Sequence, residues 1–493
     1  NNGRGGGLRC TTNSDPILVN VLISDNTATQ EGGGVFCYNS DPSFVNVTIS
    51  GNVSDIADGG GMFIKSNSDV NLLNTIIGGN ESNQIEFSSV DDPSTITILY
   101  SNIAGGQDSI ITNDNGTVSW GDGSLGTDPH FVNPDSSNYH LLANSLCING
   151  GHPDSLDSDG SVADMGFFPY LNNYSGPDWF VETTGNDTTG TGALDSPFAS
   201  IQSAINFATT DGDSVTVSAG TYIENVNFRG RNIKVAGADR EMTIIDGDSN
   251  GSVVTFDSGE DATALLSGFT IQNGFADYGG GIYYTHSNAA LSNLKVIDNT
   301  TSGYGGGLYL QWSNPNIENL FIQNNSAERG GGITCYANSS PTLKNISISA
   351  NSSTHGGGGI WLNNNCNPSL LNVAITNNST GVDGGGGMQI NSSNPTLTNV
   401  TISGNTSNTN GGGMLILVDC HITLVNSIMW NNYPQEIYFD YSPAYPSSPD
   451  SITVSYSNID GGQDSIVTID NSSITWGSGN IDVDPRFIDS ENS

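Results

Sequence analysis

"NPTLTNVTISGNTSNTNGGGM", residues 394–414, alternates polar and apolar residues, carries two asparagines six positions apart, and closes on three glycines before a methionine. Glycine in a strand costs roughly 0.5–1 kcal/mol against alanine, so three in a row need a reason. The chain repeats the device nine times. The residue after each glycine run is Leu8, Val35, Met62, Ile282, Leu308, Ile333, Ile360, Met388 or Met414, in two sets with internal steps of 25 to 28 residues. Two asparagine series march with it. One is Asn20, Asn46, Asn74, Asn293, Asn319, Asn345, Asn372, Asn399 and Asn426; the other lies six residues further on in every period.

Within one period the parity of the apolar residues slips. Met388 and Ile390 share one parity, Leu397 has the other, and Val400 with Ile402 return to the first. A slip of parity marks a corner between short strands, because side chains alternate faces along a strand. Three short strands and three corners in about 26 residues make one rung of a coiled parallel sheet. Leucine-rich and helical repeats are excluded, since no segment of the period has helical spacing. Stacked rungs pair each strand with its equivalents about 4.8 Å above and below. The asparagines then fall at corners, where Asn tolerates left-handed backbone and its amide can bond the next rung.

With its "GGGI" and "NVTISGN" units the sequence resembles the right-handed parallel β-helix superfamily typified by pectate lyases, and within it the non-enzymatic repeat proteins. In style it is similar to the chlamydial polymorphic membrane proteins, whose FxxN repeats correspond to IxxN at Ile402–Asn405 here. The resemblance implies an all-β right-handed solenoid; it does not select a function, because the fold hosts enzymes, adhesins and fibres alike.

A larger repeat lies above the rung. "YSNIAGGQDSIITNDNGTVSWGDG" from Tyr100 returns as "YSNIDGGQDSIVTIDNSSITWGSG" from Tyr456, 356 residues on. The expected organisation is two tandem units: residues 1–135 as the end of a first β-helix, 136–176 as its closing segment and linker, 177–214 as an entry strand and capping helix, and 215–493 as a second β-helix. Phe198, Ile201, Ala204 and Ile205 have helical spacing and would cover the open end of the second solenoid. The chain begins at Asn1 in mid-helix, without methionine or signal peptide, and reads as a processed product or fragment. Its uncapped end would join either a covalent preceding unit or the tail of another copy, so an end-to-end array of about 356-residue units is expected.

Asp and Glu number 50 against 11 Lys and Arg, a net charge of −39. Such a balance argues against nucleic acid and anionic membranes. It suits divalent cations or a soluble extracellular or cell-surface protein. No apolar run approaches a membrane span.

In the strand after each glycine run, the middle residue points outward: Arg9, Phe36, Phe63, Tyr283, Tyr309, Thr334, Trp361, Gln389 and Leu415. Five of the nine are aromatic, so Phe36, Phe63, Tyr283, Tyr309 and Trp361 form a candidate stripe of rings beside a lane of bare glycine backbone. Surface glycans or another copy of the chain could lie there. Alternatively the rings stabilise one another, a loop of the chain covers the lane, or glycine satisfies unusual backbone angles. Asp154, Asp157, Asp159 and Asp164 around Gly160 have the alternating carboxylates of a calcium loop, without the terminal Glu of an EF-hand; a solvated acidic turn reads equally well. Cys10 and Cys37 occupy one inward position on adjacent rungs, within disulfide reach, although small buried apolar residues also suit it.

Catalytic residues are not expected. The β-helix lyases and hydrolases need clustered carboxylates with a basic residue on one exposed face. Here Arg229, Arg231, Lys234 and Arg240 crowd the first rungs of the second unit, the six histidines share no rung position, and polygalacturonase-like NTD, DD, GHG and RIK motifs are missing. The expectation is a structural or adhesive protein, with a polysaccharide lyase or hydrolase and a glycan-binding module as its rivals.

Overall fold

The computed structural model describes residues 3–56, 58–440, 449–469 and 472–488. The chain folds as a right-handed parallel β-helix, in two compact units. The first comprises Asn1–Gly176 with Thr184–Phe207, and the second Pro177–Thr183 with Ala208–Ser493.

One turn of the second unit shows how the sequence makes the rung. The strand Ile360–Asn363 follows a glycine run; the chain then turns into Ser369–Thr376, bends at Asn372, and runs through Ser379–Val382 to the next glycines. Each piece pairs in parallel with its successor: Ile360 with Met388, Ser369 with Thr396, Ser379 with Thr406. Among the described residues the pieces build a ten-stranded sheet that holds the post-glycine strands, a twenty-stranded sheet that carries the bent pair, and a six-stranded sheet. The rung thus has a fourth strand beyond the three expected. Sequences such as "SSTH" and "STGV" in the six-stranded sheet lack apolar alternation, so nothing in their pattern announced a strand. Inward residues Ile360, Leu362, Leu370, Val373 and Ile375 are almost wholly buried, each such burial contributing about 1.5–3 kcal/mol.

The two asparagine series do different work. The first, at the bend, is left-handed (φ +54° at Asn293, +55° at Asn372) and forms an outer ladder, Asn372 donating to Asn345 and Asn399 to Asn372, each at 3.1 Å. The second is buried, apart from the half-buried Asn26. Asn378 donates from its backbone N–H and from Nδ2 to Oδ1 of Asn405, at 2.9 Å each, and Nδ2 also reaches the Ile348 carbonyl at 3.0 Å. Each such corner is satisfied by the asparagine of the next rung, except the last of each ladder, Asn80 and Asn432, which bond Gln84 and Glu436, as an interior of low polarity demands.

The glycine runs have a local cause. Gly357 sits at φ +73°. A Cβ on Gly358 would lie 2.5 Å from the Gly386 carbonyl oxygen, and one on Gly359 would lie 2.6 Å from that of Gly387 and 3.1 Å from Asn378 Nδ2. The first glycine takes the left-handed corner, and the next two lack a Cβ because the following rung and the asparagine ladder fill that space.

The first unit repeats this plan in Leu8–Thr11, Val35–Tyr38, Met62–Lys65 and Ile85–Phe87. Its last part is a strap. An antiparallel hairpin, Phe131–Asn133 with Asn138–Leu141, leads into a segment that runs back along the solenoid. There His152 N donates to Asn74 Oδ1 (2.7 Å), Gly166 N to the Asn74 carbonyl (2.7 Å) and Phe167 N to Thr48 Oγ1 (2.9 Å). The helix forms at Ile201–Phe207 with all seven residues buried. Its Asn206 Nδ2 donates to the carbonyls of Ala143 and Ser145, at 2.9 and 2.8 Å, which ties the helix to the first unit.

Candidate contact surface

Four of the five rings named for the stripe stack as two pairs, one in each unit. Phe36 and Phe63 stack with centroids 6.3 Å apart and planes within 1°, and Tyr283 and Tyr309 stack at 5.7 Å. Their in-register pairing on neighbouring parallel strands imposes the overlap.

The stripe is not bare, however. Phe36, Phe63, Tyr309 and Trp361 are each no more than 5% exposed, and of the five named rings Tyr283 alone is half-buried. The cover comes from residues just ahead of the glycine runs, one or two rungs earlier. Tyr278 lies 5.2 Å from Tyr309, Tyr304 lies 4.9 Å from Trp361, and the Arg329 guanidinium stands 5.5 Å above the Trp361 ring. In the first unit Arg4 and Arg9 stand over Phe36, and Lys65 over Phe63. No ligand can lie flat on the buried rings in this arrangement, and the lane of glycines is filled by the chain's own backbone. The rings are covered by neighbouring side chains, and the glycines lie against the backbone of the next rung.

The covering residues themselves reach solvent. Tyr278 is 44% exposed, and Tyr304 and Tyr336 are half-buried, with Tyr336 stacked 6.2 Å from Trp361. Together with Tyr283 they make an aromatic patch across successive rungs of the second unit. Arg329 pairs with Asp383 at 2.7 Å on its border, and Asp277 accepts a hydrogen bond from Ser302 at 2.8 Å. Burial holds the Tyr283 and Tyr304 phenols above their ordinary range, so they are neutral hydrogen-bond donors rather than bases at neutral pH. The patch can offer ring faces and hydroxyls to a partner. Sequence reasoning passed over Tyr278, Tyr304 and Arg329, although all three stand immediately before a glycine run.

The aspartates around Gly160 do not converge. Asp157 Oδ2 accepts from the Asp164 N–H (2.9 Å), and Asp159 Oδ1 from the Ser161 N–H and hydroxyl (3.0 and 2.6 Å). Asp164 is buried and accepts from the N–H groups of Asn149 and Tyr170, at 2.7 and 2.5 Å; burial pushes its carboxyl up to about 8. Asp154 is exposed. These carboxylates organise turns. Among the described residues no group of three or more His, Cys, Asp or Glu gathers as a metal site.

Cys10 and Cys37 lie opposite each other in register, both buried and both thiols. The Cys37 thiol, hydrogen-bonded to Cys10, holds Cys10 below the usual thiol range. Arg240, one of the four clustered cations, lies 4.5 Å over the Phe321 ring and pairs with Glu241 at 3.5 Å. No helix among the described residues is long and apolar enough to cross a membrane.

Residues 252–428 match the family model described as a right handed beta helix region. Among solved structures the chain is similar to the pectate lyase Pel9A, with 13% identity, a TM-score of 0.36, and coverage of 61% of this chain and 80% of that one. It is also similar to a pectin methylesterase from carrot, with 12% identity, a TM-score of 0.31, and coverage of 62% and 91%. No curated protein sequence matches the chain. At these identities the likeness concerns the fold alone.

Proposed function

We propose that this chain is an extracellular or cell-surface β-helix scaffold with a structural or adhesive role, not an enzyme, and that it makes contact through the aromatic patch of the second unit. The observation that carries the reading is the cluster of partly exposed Tyr278, Tyr283, Tyr304 and Tyr336 packed against the buried Tyr309 and Trp361. Aromatic faces backed by a rigid sheet lose little entropy on binding and suit the flat faces of sugar rings. The partner class is therefore a neutral surface glycan, since an acidic one would meet a protein of net charge −39.

The test is binding of the whole chain to insoluble and immobilised polysaccharides, alongside an assay for new reducing or unsaturated ends. Retention without product is expected, with affinity reduced about tenfold or more in Tyr278→Ser/Tyr304→Ser, a loss of roughly 1.4 kcal/mol. Product formation would favour the rival lyase or hydrolase. Unaltered retention in the double variant would remove the patch from the reading.

A further inference from the structure

A cavity of about 340 Å³ lies within the first unit. Three segments wall it: the hairpin strand Asn138–Leu141, the tail of the strap at residues 169–171, and the loop at residues 188–191.

Local chemistry fixes each wall. In the strand Tyr139 and Leu141 are buried, so alternation leaves His140 exposed between them. Its ring stacks on Phe168 at 4.0 Å, within 24° of parallel. The loop is turned by Asn186, whose Oδ1 accepts from the Thr188 and Thr189 N–H groups at 2.8 and 2.9 Å. Two bonds then clamp loop to strap: the Tyr170 hydroxyl donates to the Gly190 carbonyl at 2.8 Å, and Asn172 Nδ2 donates to the Thr191 carbonyl at 2.9 Å. The cavity is thus preformed, which lowers the ordering cost of binding.

The lining narrows the class of ligand. Among the described residues that line it there is no Asp, Glu, Lys or Arg. A metal cation, a phosphate or a carboxylate would find no counter-charge there. What is present is apolar surface from Val132, Leu141, Pro169 and Leu171 together with the threonines 188 and 189. His140 adds an acceptor. Its Nδ1 lies 2.9 Å from Asn138 Oδ1, which can only accept, so Nδ1 carries the proton and the neutral ring keeps a lone pair on Nε2. A matching ligand has an apolar face and a rim of hydroxyls that both donate and accept. Ligand cavities run from about 300 to 1,000 Å³, so this one has room for a single ring and not for a chain.

We propose that this cavity binds one neutral hexopyranose, the terminal residue of a glycan. The sugar's apolar face packs on the leucines and proline, and its hydroxyls bond the His140 imidazole and the threonine hydroxyls. The inference stands on the first unit alone and does not rest on the aromatic patch of the second.

The test records saturation-transfer NMR of the whole chain with the methyl glycosides of glucose, galactose, mannose and N-acetylglucosamine. At least one should bind, with an affinity in the millimolar range. His140→Phe keeps a ring against Phe168 and removes the acceptor; Thr189→Val keeps the shape and removes a hydroxyl. Each should weaken binding about tenfold. Leu171→Trp, at a position 51% exposed where a larger ring disturbs no core, narrows the cavity and should act likewise. An unaltered thermal midpoint shows that each variant is folded. Silence of all four glycosides at about 20 mM overturns the proposal. So does unaltered affinity in all three variants. Tyr278→Ser/Tyr304→Ser separates the cavity from the patch, because it should leave glycoside binding intact while reducing retention on polysaccharide. Loss of glycoside binding in that variant would assign the sugar to the patch and strike the cavity, with the reading of the patch still standing.

Discussion

Asn80 and Asn432 are the last members of the two buried asparagine ladders, and each is closed by the residue four positions on. Asn80 Nδ2 donates to Gln84 Oε1 at 2.8 Å, whereas Asn432 donates from its backbone and side chain to the two oxygens of Glu436, at 2.9 and 2.5 Å. The donors favour the carboxylate, but burial outweighs them and pushes Glu436 up to about 7 from an ordinary 4.5. A raised folded-state pKa contributes stability that is fully present below the unfolded value and lost as pH rises through the folded one. Unfolding of the second unit should therefore become easier between about pH 5 and pH 8, by up to about 3 kcal/mol from this group. Glu436→Gln reproduces the ending found at Gln84 and should raise the thermal midpoint at pH 8 while changing it little at pH 4.5. Asp450, pushed up to about 6 chiefly by burial, acts in the same direction and is left in place. Calorimetry of both proteins at the two pH values decides it; an equal effect at both would mean that ionisation of Glu436 does not set the difference.

At the scale of the element, the glycine run is the part least tolerant of change. Gly358→Ala places a methyl 2.5 Å from the Gly386 carbonyl, which belongs to the next rung and cannot move without parting the ladder. A cost of about 2–3 kcal/mol is expected from denaturant unfolding, more than the propensity gain of alanine returns. A neutral result would mean that the rungs can separate locally. The runs, the asparagine corners and the inward parity were legible from the sequence because each is set by contacts one period away, so the chain records them as a repeat. What covers the outward rings was not. Tyr278 reaches Tyr309 and Tyr304 reaches Trp361 from the ends of strands in the six-stranded sheet, whose sequences carry no apolar alternation to announce them. The anchorage of the helix was hidden for a related reason: the carbonyls that hold Asn206 lie 61 and 63 residues back, outside any period. The aspartates around Gly160 had the composition of a cation loop, yet their oxygens are engaged by N–H donors that no spacing rule displays.

For the molecule as a whole, the charge of −39 is spread over a solenoid with only eleven cationic residues. Several of those are occupied locally, Lys65 between Glu31 and Asp91 at 3.5 and 3.0 Å, and Arg329 at Asp383. The remaining carboxylates repel one another, and the repulsion is relieved when the chain expands, so charge works against the folded state. Screening acts in the opposite sense. The Debye length falls from about 30 Å near 0.01 M salt to about 8 Å near 0.15 M, which shortens the reach of that repulsion. The thermal midpoint should therefore rise over that range in sodium chloride alone. Calcium should stabilise as a divalent counterion and not as a ligand of Asp154, Asp157, Asp159 and Asp164, since no group of three or more such side chains gathers there among the described residues and oxygens of Asp157, Asp159 and Asp164 are engaged by N–H donors. Calcium and magnesium at equal concentration, with ionic strength matched, should then give the same midpoint, and a chelator added at constant ionic strength should leave it unchanged. Differential scanning calorimetry measures all three. A shift specific to calcium, lost on Asp157→Asn/Asp159→Asn, would restore the loop as a binding site and show that the turn rearranges to take the ion.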